Sequence, residues 1–217
     1  MTRRVLLVLS AIALLMIGLG VGYLAGQQSL PTAIQPGPVD IGFSQDMSTH
    51  HSQAIEMTDI VAANPDPGVT AMAARIRTTQ LEEIGRMQGF LTLWGQSAIP
   101  TTSPMAWMND AHAEHAMNGM PMLGTEMTGA AMPGLATQDQ LSRLRSLTGN
   151  AQAVLFLQLM LRHHQGGVQM ADYAAQHAVL PEVRALAAKM SFDQQQENQM
   201  LSQLLQSLGV DPQLPPS

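Results

Sequence analysis

Apolar positions fall into two kinds of pattern along this chain. The first is a continuous run, Val5 to Gly26, of 22 residues without a charge. At 1.5 Å rise per residue such a helix spans a hydrocarbon core of about 30 Å. The rest of the chain shows periodic patterns of three and four, which predict helices. One runs from about Asp40 to Ala63. Pro65-Asp66-Pro67 ends it and opens the next, with Asp66 as N-cap and Pro67 at the first helical position, and that helix continues to about Trp94 before Gly95. A third helix follows Gly149 to about Ala178. A fourth runs from Pro181 to Leu208, with Gly209 behind it. Between the two pairs lies an irregular stretch, Gln96 to Ala136, then a short helix, Thr137 to Leu147, whose Thr137 and Gln140 form a capping box. No segment has strand periodicity.

The two pairs repeat one another. Phe43, Met47, His50, His51, Ala54 and Met57 recur 113 residues later as Phe156, Met160, His163, His164, Gly167 and Met170. In the partner helices Arg75, Ile76, Gln80 and Glu83 recur 114 residues later as Lys189, Met190, Gln194 and Glu197. The pattern predicts an all-α protein: a ferritin-like four-helix bundle built from a duplicated hairpin with a long Met-rich crossover, preceded by an N-terminal transmembrane helix. The expected boundaries are a cytoplasmic start at 1–4, the anchor at 5–26, a Pro-rich stalk at 27–39, hairpin 1 at 40–95, the crossover at 96–149, hairpin 2 at 150–208 and a tail at 209–217.

Composition narrows the chemistry. There is no Cys, which excludes disulfides, thiolate metal sites, iron–sulfur clusters, c-type haem attachment and lipoprotein anchoring. Beyond Arg3 and Arg4, eight basic residues face 16 acidic ones, a balance that repels phosphates and argues against nucleic acid as a partner. Arg3-Arg4 ahead of the apolar run keeps the start of the chain in the cytoplasm and sends everything after residue 27 across the membrane. The run exceeds a secretory h-region and reads as an uncleaved anchor; a cleaved signal that releases the domain is the alternative.

Phe43, Met47, His50, Ala54 and Met57 step by four and three, the spacing of one inward seam, with His51 beside it. Ile76, Gln80, Glu83 and Met87 bring an amide and a carboxylate inward as well. A buried imidazole must be hydrogen-bonded or act as a ligand. Two readings follow. In the metal-free one, Gln80, Glu83, Gln194 and Glu197 satisfy the histidines and the Met residues fill space. In the other, Met47, His50, His51, Met57, Met160, His163, His164 and Met170 bind a metal, with Glu83 and Glu197 orienting imidazole N–H groups. Thioether with imidazole selects copper, Cu(I) above all. Glu-x-x-His, the ferritin-like di-iron signature, is absent. The crossover adds His112, His115 and seven Met between Met105 and Met132, among them Met117, Met120 and Met122, as a second soft-donor set or an adaptable packing lid.

Phe-x-x-x-Met-x-x-His-His in both repeats, Met-Pro-Gly at 132–134 and Leu-Met-Leu-Arg-His-His-Gln-Gly-Gly at 159–167 resemble the bacterial domain of unknown function family 305 over roughly residues 40–208. The resemblance implies an exported ferritin-like bundle, with some relatives regarded as copper-binding, and points to the same eight His and Met positions. One departure is Asn198 at the place matching Ile84. The functional expectation is a membrane-tethered extracytoplasmic protein that sequesters or passes on copper, its partners being the ion, the membrane, and a copper donor or acceptor protein or a second copy of itself. The alternatives are a metalloenzyme with an open coordination position in the bundle and a metal-free accessory subunit of a membrane complex.

Overall fold

A computed structural model of the chain describes residues 2–28, 35–108 and 132–212. Two compact units divide at residue 34. The first is a single helix, α1 (Thr2–Gln28), long and apolar enough to cross a membrane over Thr2–Leu24. The second is all-helical among its described residues: α2 (Pro38–Ile60), α3 (Pro67–Leu93), a 3-10 turn (Ala106–Met108), α4 (Gln138–Ser146), α5 (Gly149–His177) and α6 (Pro181–Ser207).

Local chemistry sets these limits. Asp66 caps α3, its carboxylate accepting from the N–H groups of Gly68 at 2.8 Å and Val69 at 3.1 Å. Thr137 and Gln140 exchange bonds in a capping box that opens α4. Helix α2 begins two residues before the expected Asp40. Pro38 takes the first helical position, where its missing N–H costs nothing, and Asp40 reaches back from the first turn to accept from Gly37 N–H at 2.8 Å. Asp40 is fully buried and also accepts from the backbones of Val179 and Leu180, so the start of α2 is tied to the α5–α6 turn.

Two apolar clusters give the topology. One combines Ala54 and Met57 from late α2, Val69, Met72 and Ile76 from early α3, Phe156 and Met160 from early α5, and Leu201 and Leu205 from late α6. The other combines Phe43 and Met47 from early α2, Met87 from late α3, Met170 and Ala174 from late α5, and Val183, Leu186 and Met190 from early α6. Helices α2 and α3 are therefore antiparallel, as are α5 and α6, and α2 also runs antiparallel to α5. The order is up-down-down-up with one long crossover, the ferritin-like arrangement. Asn64, beyond the end of α2, donates to Gly149 O and Gln152 Oε1 and joins the two hairpins at the far end.

The crossover is clasped on both sides of residues 109–131, which are not described. Where it leaves hairpin 1, the Asp46 carboxylate accepts from Met105 N–H and Trp107 Nε1–H, and Trp107 packs edge-on against Phe43 and Tyr173. Where it returns, Gln53 bonds both the N–H and the carbonyl of Ala136. Arg162 donates to Leu135 O and Gln140 Oε1.

Candidate metal centre

Between the two apolar clusters lies a polar layer. His50, His51, His163 and His164 are all buried, together with Gln80, Glu83, Gln194 and Glu197. The stepping of α2 and α5 brings the two His-His pairs to one level where these antiparallel helices meet. His50 and His163 meet at the contact, ring centres 3.8 Å apart and planes tilted by 34°. His51 and His164 lie to the sides, their ring centres 6.4 and 6.3 Å from His50 and His163 respectively. His51 turns toward α3 and His164 toward α6.

Each of these four imidazoles is held through Nε2. His51 Nε2 is 2.8 Å from Glu83 Oε2, and His164 Nε2 is 2.7 Å from Glu197 Oε2. His50 Nε2 is 3.0 Å from the carbonyl of Pro133, and His163 Nε2 is 3.0 Å from the carbonyl of His50. A carbonyl only accepts, so Nε2 carries the proton in His50 and His163, and each bare lone pair is on Nδ1. Where Glu83 is ionised, the bond it accepts gives His51 the same tautomer, and Glu197 faces His164 Nε2 in the same way. All four Nδ1 atoms are buried without a hydrogen-bond partner, as are both amide atoms of Gln80 and Gln194.

Burial keeps His50, His51 and His163 neutral. Burial, reinforced by the neighbouring His51, lowers His50 to about 3. Burial and then His164 lower His51 to about 3. His163 lies well below the ordinary imidazole range, first through burial and then through His50. Burial pushes Glu83 up to about 7.

The eight sequence-selected donors are distributed as follows. The four histidines occupy the layer. Met47 and Met170 are buried in the cluster on one side of it, and Met57 and Met160 in the cluster on the other. No group of three or more His, Asp or Glu among the described residues stands close enough to hold an ion as it is. His112, His115, Met117, Met120 and Met122 lie outside the described residues.

Met87 and Met190, on the inward seams, and Met105 and Met132 of the crossover join Met47 and Met170 in one cluster of six buried thioethers, a junction of crossover and bundle that no spacing announces. Pro133 supplies the acceptor for His50. That approach needs two glycines: a Cβ at Gly166 would fall 2.1 Å from Pro133 O, and one at Gly134, where φ is 82°, would fall 2.5 Å from Arg162 O. The Met-Pro-Gly stretch and the Gly-Gly after His163-His164 are the sequence marks of this contact.

The family model for a domain of unknown function, DUF305, matches residues 40–205, which takes in both hairpins and the crossover. The chain belongs to the DUF305 family. Its solved relatives include a DUF305 protein of Streptomyces coelicolor, described as a candidate secreted protein, at 34% identity and a TM-score of 0.69, with 80% of this chain and 95% of that one covered. A DUF305 fragment from Deinococcus radiodurans matches at 27% identity and a TM-score of 0.63, covering 80% and 99% of the two chains. CopM in its Cu(II)-bound form shares the fold at 24% identity and a TM-score of 0.55, covering 77% and 96%; its Cu(I)-bound form gives 21% and 0.56 over the same shares. No curated protein matches the chain. This DUF305 bundle is thus all-helical and ferritin-like, and copper-bound proteins exist with its fold.

Proposed function

We propose that this DUF305 protein is held at the outer face of a membrane by α1 and there sequesters or passes on Cu(I) through imidazole and thioether donors. The observation that carries the reading is the set of four buried Nδ1 atoms without a hydrogen-bond partner. Leaving a buried polar atom unpaired costs about 1–3 kcal/mol, and here the cost recurs four times in one layer. Metal-binding histidines are commonly fixed this way, one ring nitrogen donating to a carboxylate or carbonyl while the other faces the ion. The chemistry of the donors selects a soft ion, since the layer is bracketed by Met47 and Met170 on one side and Met57 and Met160 on the other, and no Cys is present.

Copper-bound CopM supports the reading only at the level of fold, because its identity with this chain is too low to carry ligands across. Loading requires side-chain movement, since among the described residues no three His, Asp or Glu groups converge as they stand. A site that rearranges to accept its ion suits storage and exchange. Among the described residues the layer holds two carboxylates, Glu83 and Glu197, and each spends an oxygen on a histidine, an arrangement that favours holding an ion over turning over a substrate. The metal-free accessory alternative leaves the four Nδ1 atoms unexplained.

The test is titration of the full chain in detergent with Cu(I), and with Ag(I) as a redox-silent probe. Substituting His50, His51, His163 and His164 together by Ala is expected to lower the stoichiometry, with helicity checked by circular dichroism. Because the quadruple variant removes buried volume, Met47→Leu with Met170→Leu provides a near-isosteric second arm, expected to weaken binding about tenfold or more. Unchanged binding in both would remove the bundle site.

A further inference from the structure

We infer that the end of the bundle at which the chain enters, formed by the start of α2, the end of α3 and the α5–α6 turn, rests on the lipid surface and inserts apolar side chains into it. The inference builds on the tether reading above. The two ends of the bundle differ sharply. At the entry end Leu93 is 83% exposed and Val179 46% exposed, and on the strap that leaves α3 Ile99 is 76% exposed. Phe90 and Trp94 stack there with ring centres 5.5 Å apart, each only half-buried. From Met87 to Asn109 there is no charged residue, and both tryptophans of the chain fall in that stretch. The opposite end, around Asn64, Gly149 and Leu208, has no large exposed apolar side chain among the described residues, and Asp59–Arg77 and Glu56–Arg145 ion pairs lie on that half of the bundle.

Connectivity supplies the occupant. Nine residues, 29–37, separate the last residue of α1 from Pro38, a reach of at most about 30 Å when fully extended. The entry point is fixed on the bundle, because Asp40 holds Gly37 N–H and the Val179 and Leu180 backbones together. Asp40 is buried and presents no charge to lipid, while beside the α5–α6 turn Arg184 donates to the carbonyls of Ala178 and Val179 and exposed Glu182 is left to the headgroup level. Tryptophan and leucine placed this way suit the boundary between headgroups and acyl chains. The exported part has eight basic against 16 acidic residues, so anionic lipid offers no attraction, and contact through apolar and aromatic insertion follows.

The experiment uses the full chain in phosphatidylcholine vesicles, part of whose acyl chains carry bromine near the headgroup, with tryptophan emission as the readout. Trp107 is 5% exposed and serves as an internal unquenched reporter. The expected result is loss of the Trp94 component, disappearance of that quenching in Trp94→Phe, its weakening in Leu93→Ser with Ile99→Ser, and little change between low and high salt. Identical emission in brominated and plain vesicles, from a chain that stays with the vesicles through an alkaline wash, overturns the inference and leaves the tether intact. Release of the chain by the wash instead overturns the tether and this inference with it.

Discussion

The two hairpins descend from one pattern, yet they hold their histidines differently, and the differences show where a duplicated fold has specialised. In hairpin 2, Glu197 holds His164 with one oxygen while its other lies 3.5 Å from Arg75 Nε of hairpin 1. By the repeat, Lys189 stands where Arg75 does and should reach Glu83 in the same way. It bonds Asp193 on its own helix instead, and Glu83 Oε1 is left buried without a partner. Asp193 occupies the place of Thr79, so a single acidic residue diverts the cation. A second difference concerns the returning crossover. Hairpin 1 grips it with Gln53, whereas the matching residue of hairpin 2 is Gly166, which lets Pro133 come close enough to bond His50.

The strongest way to break this asymmetry is Gly166→Ala. The new Cβ meets backbone that cannot move without dragging Pro133 from His50, and a loss of about 2–4 kcal/mol is expected in urea unfolding. The matching change in hairpin 1, Gln53→Ala, removes two hydrogen bonds without a clash and should cost about 1–2 kcal/mol.

Acid should act next. The folded state holds His50, His51 and His163 neutral, with His50 and His51 near 3, while the unfolded chain protonates near 6.5. Unfolded chain therefore binds more protons across that window, and stability falls as pH drops below 6.5 by about 1.4 kcal/mol per pH unit for each unbalanced proton. Glu83 works the other way: raised to about 7, it contributes stability that is full below 4.5 and lost as pH rises through 7. Three histidines outweigh one glutamate, so urea midpoints of the metal-free chain should decline from pH 6.5 to 4.5.

Smaller effects sharpen the carboxylate comparison. Glu197→Gln turns an amide toward Arg75 and should cost about 2 kcal/mol, whereas Glu83→Gln imitates a form already half populated near neutrality and should cost under about 1 kcal/mol. Smallest in stability is Asp193→Thr, which restores the residue of hairpin 1 and frees Lys189. The carboxyl of Glu83 should then titrate lower, as followed by carbon NMR of the labelled side chain.

Much of this architecture could be read from periodicity. The offsets of 113 and 114 fix the duplication, and the steps of three and four in α2 and α5 place Met47, His50 and Met57 on one seam. What periodicity carries poorly is contact between segments with no common repeat. Asp46 gripping Trp107, Arg162 holding Leu135, and Pro133 capping His50 join a helix to an irregular strap, and no spacing announces them. Spacing also left His51 at the flank of the seam, where the approach of α3 buries it against Glu83. Symmetry itself misleads at Lys189, because the repeat shows which residues correspond but not which partner wins.

For a soft ion to be held in this layer, four buried imidazoles, each fixed through Nε2, must present Nδ1 to it. Nitrogen NMR of the full chain labelled in its histidines tests this most directly, recorded without metal and with Ag(I). The buried rings should carry their proton on Nε2 before loading, and the Nδ1 resonances should move on addition of silver. Protons resident on Nδ1 in the metal-free chain, or silver-induced shifts confined to Nε2, would contradict it.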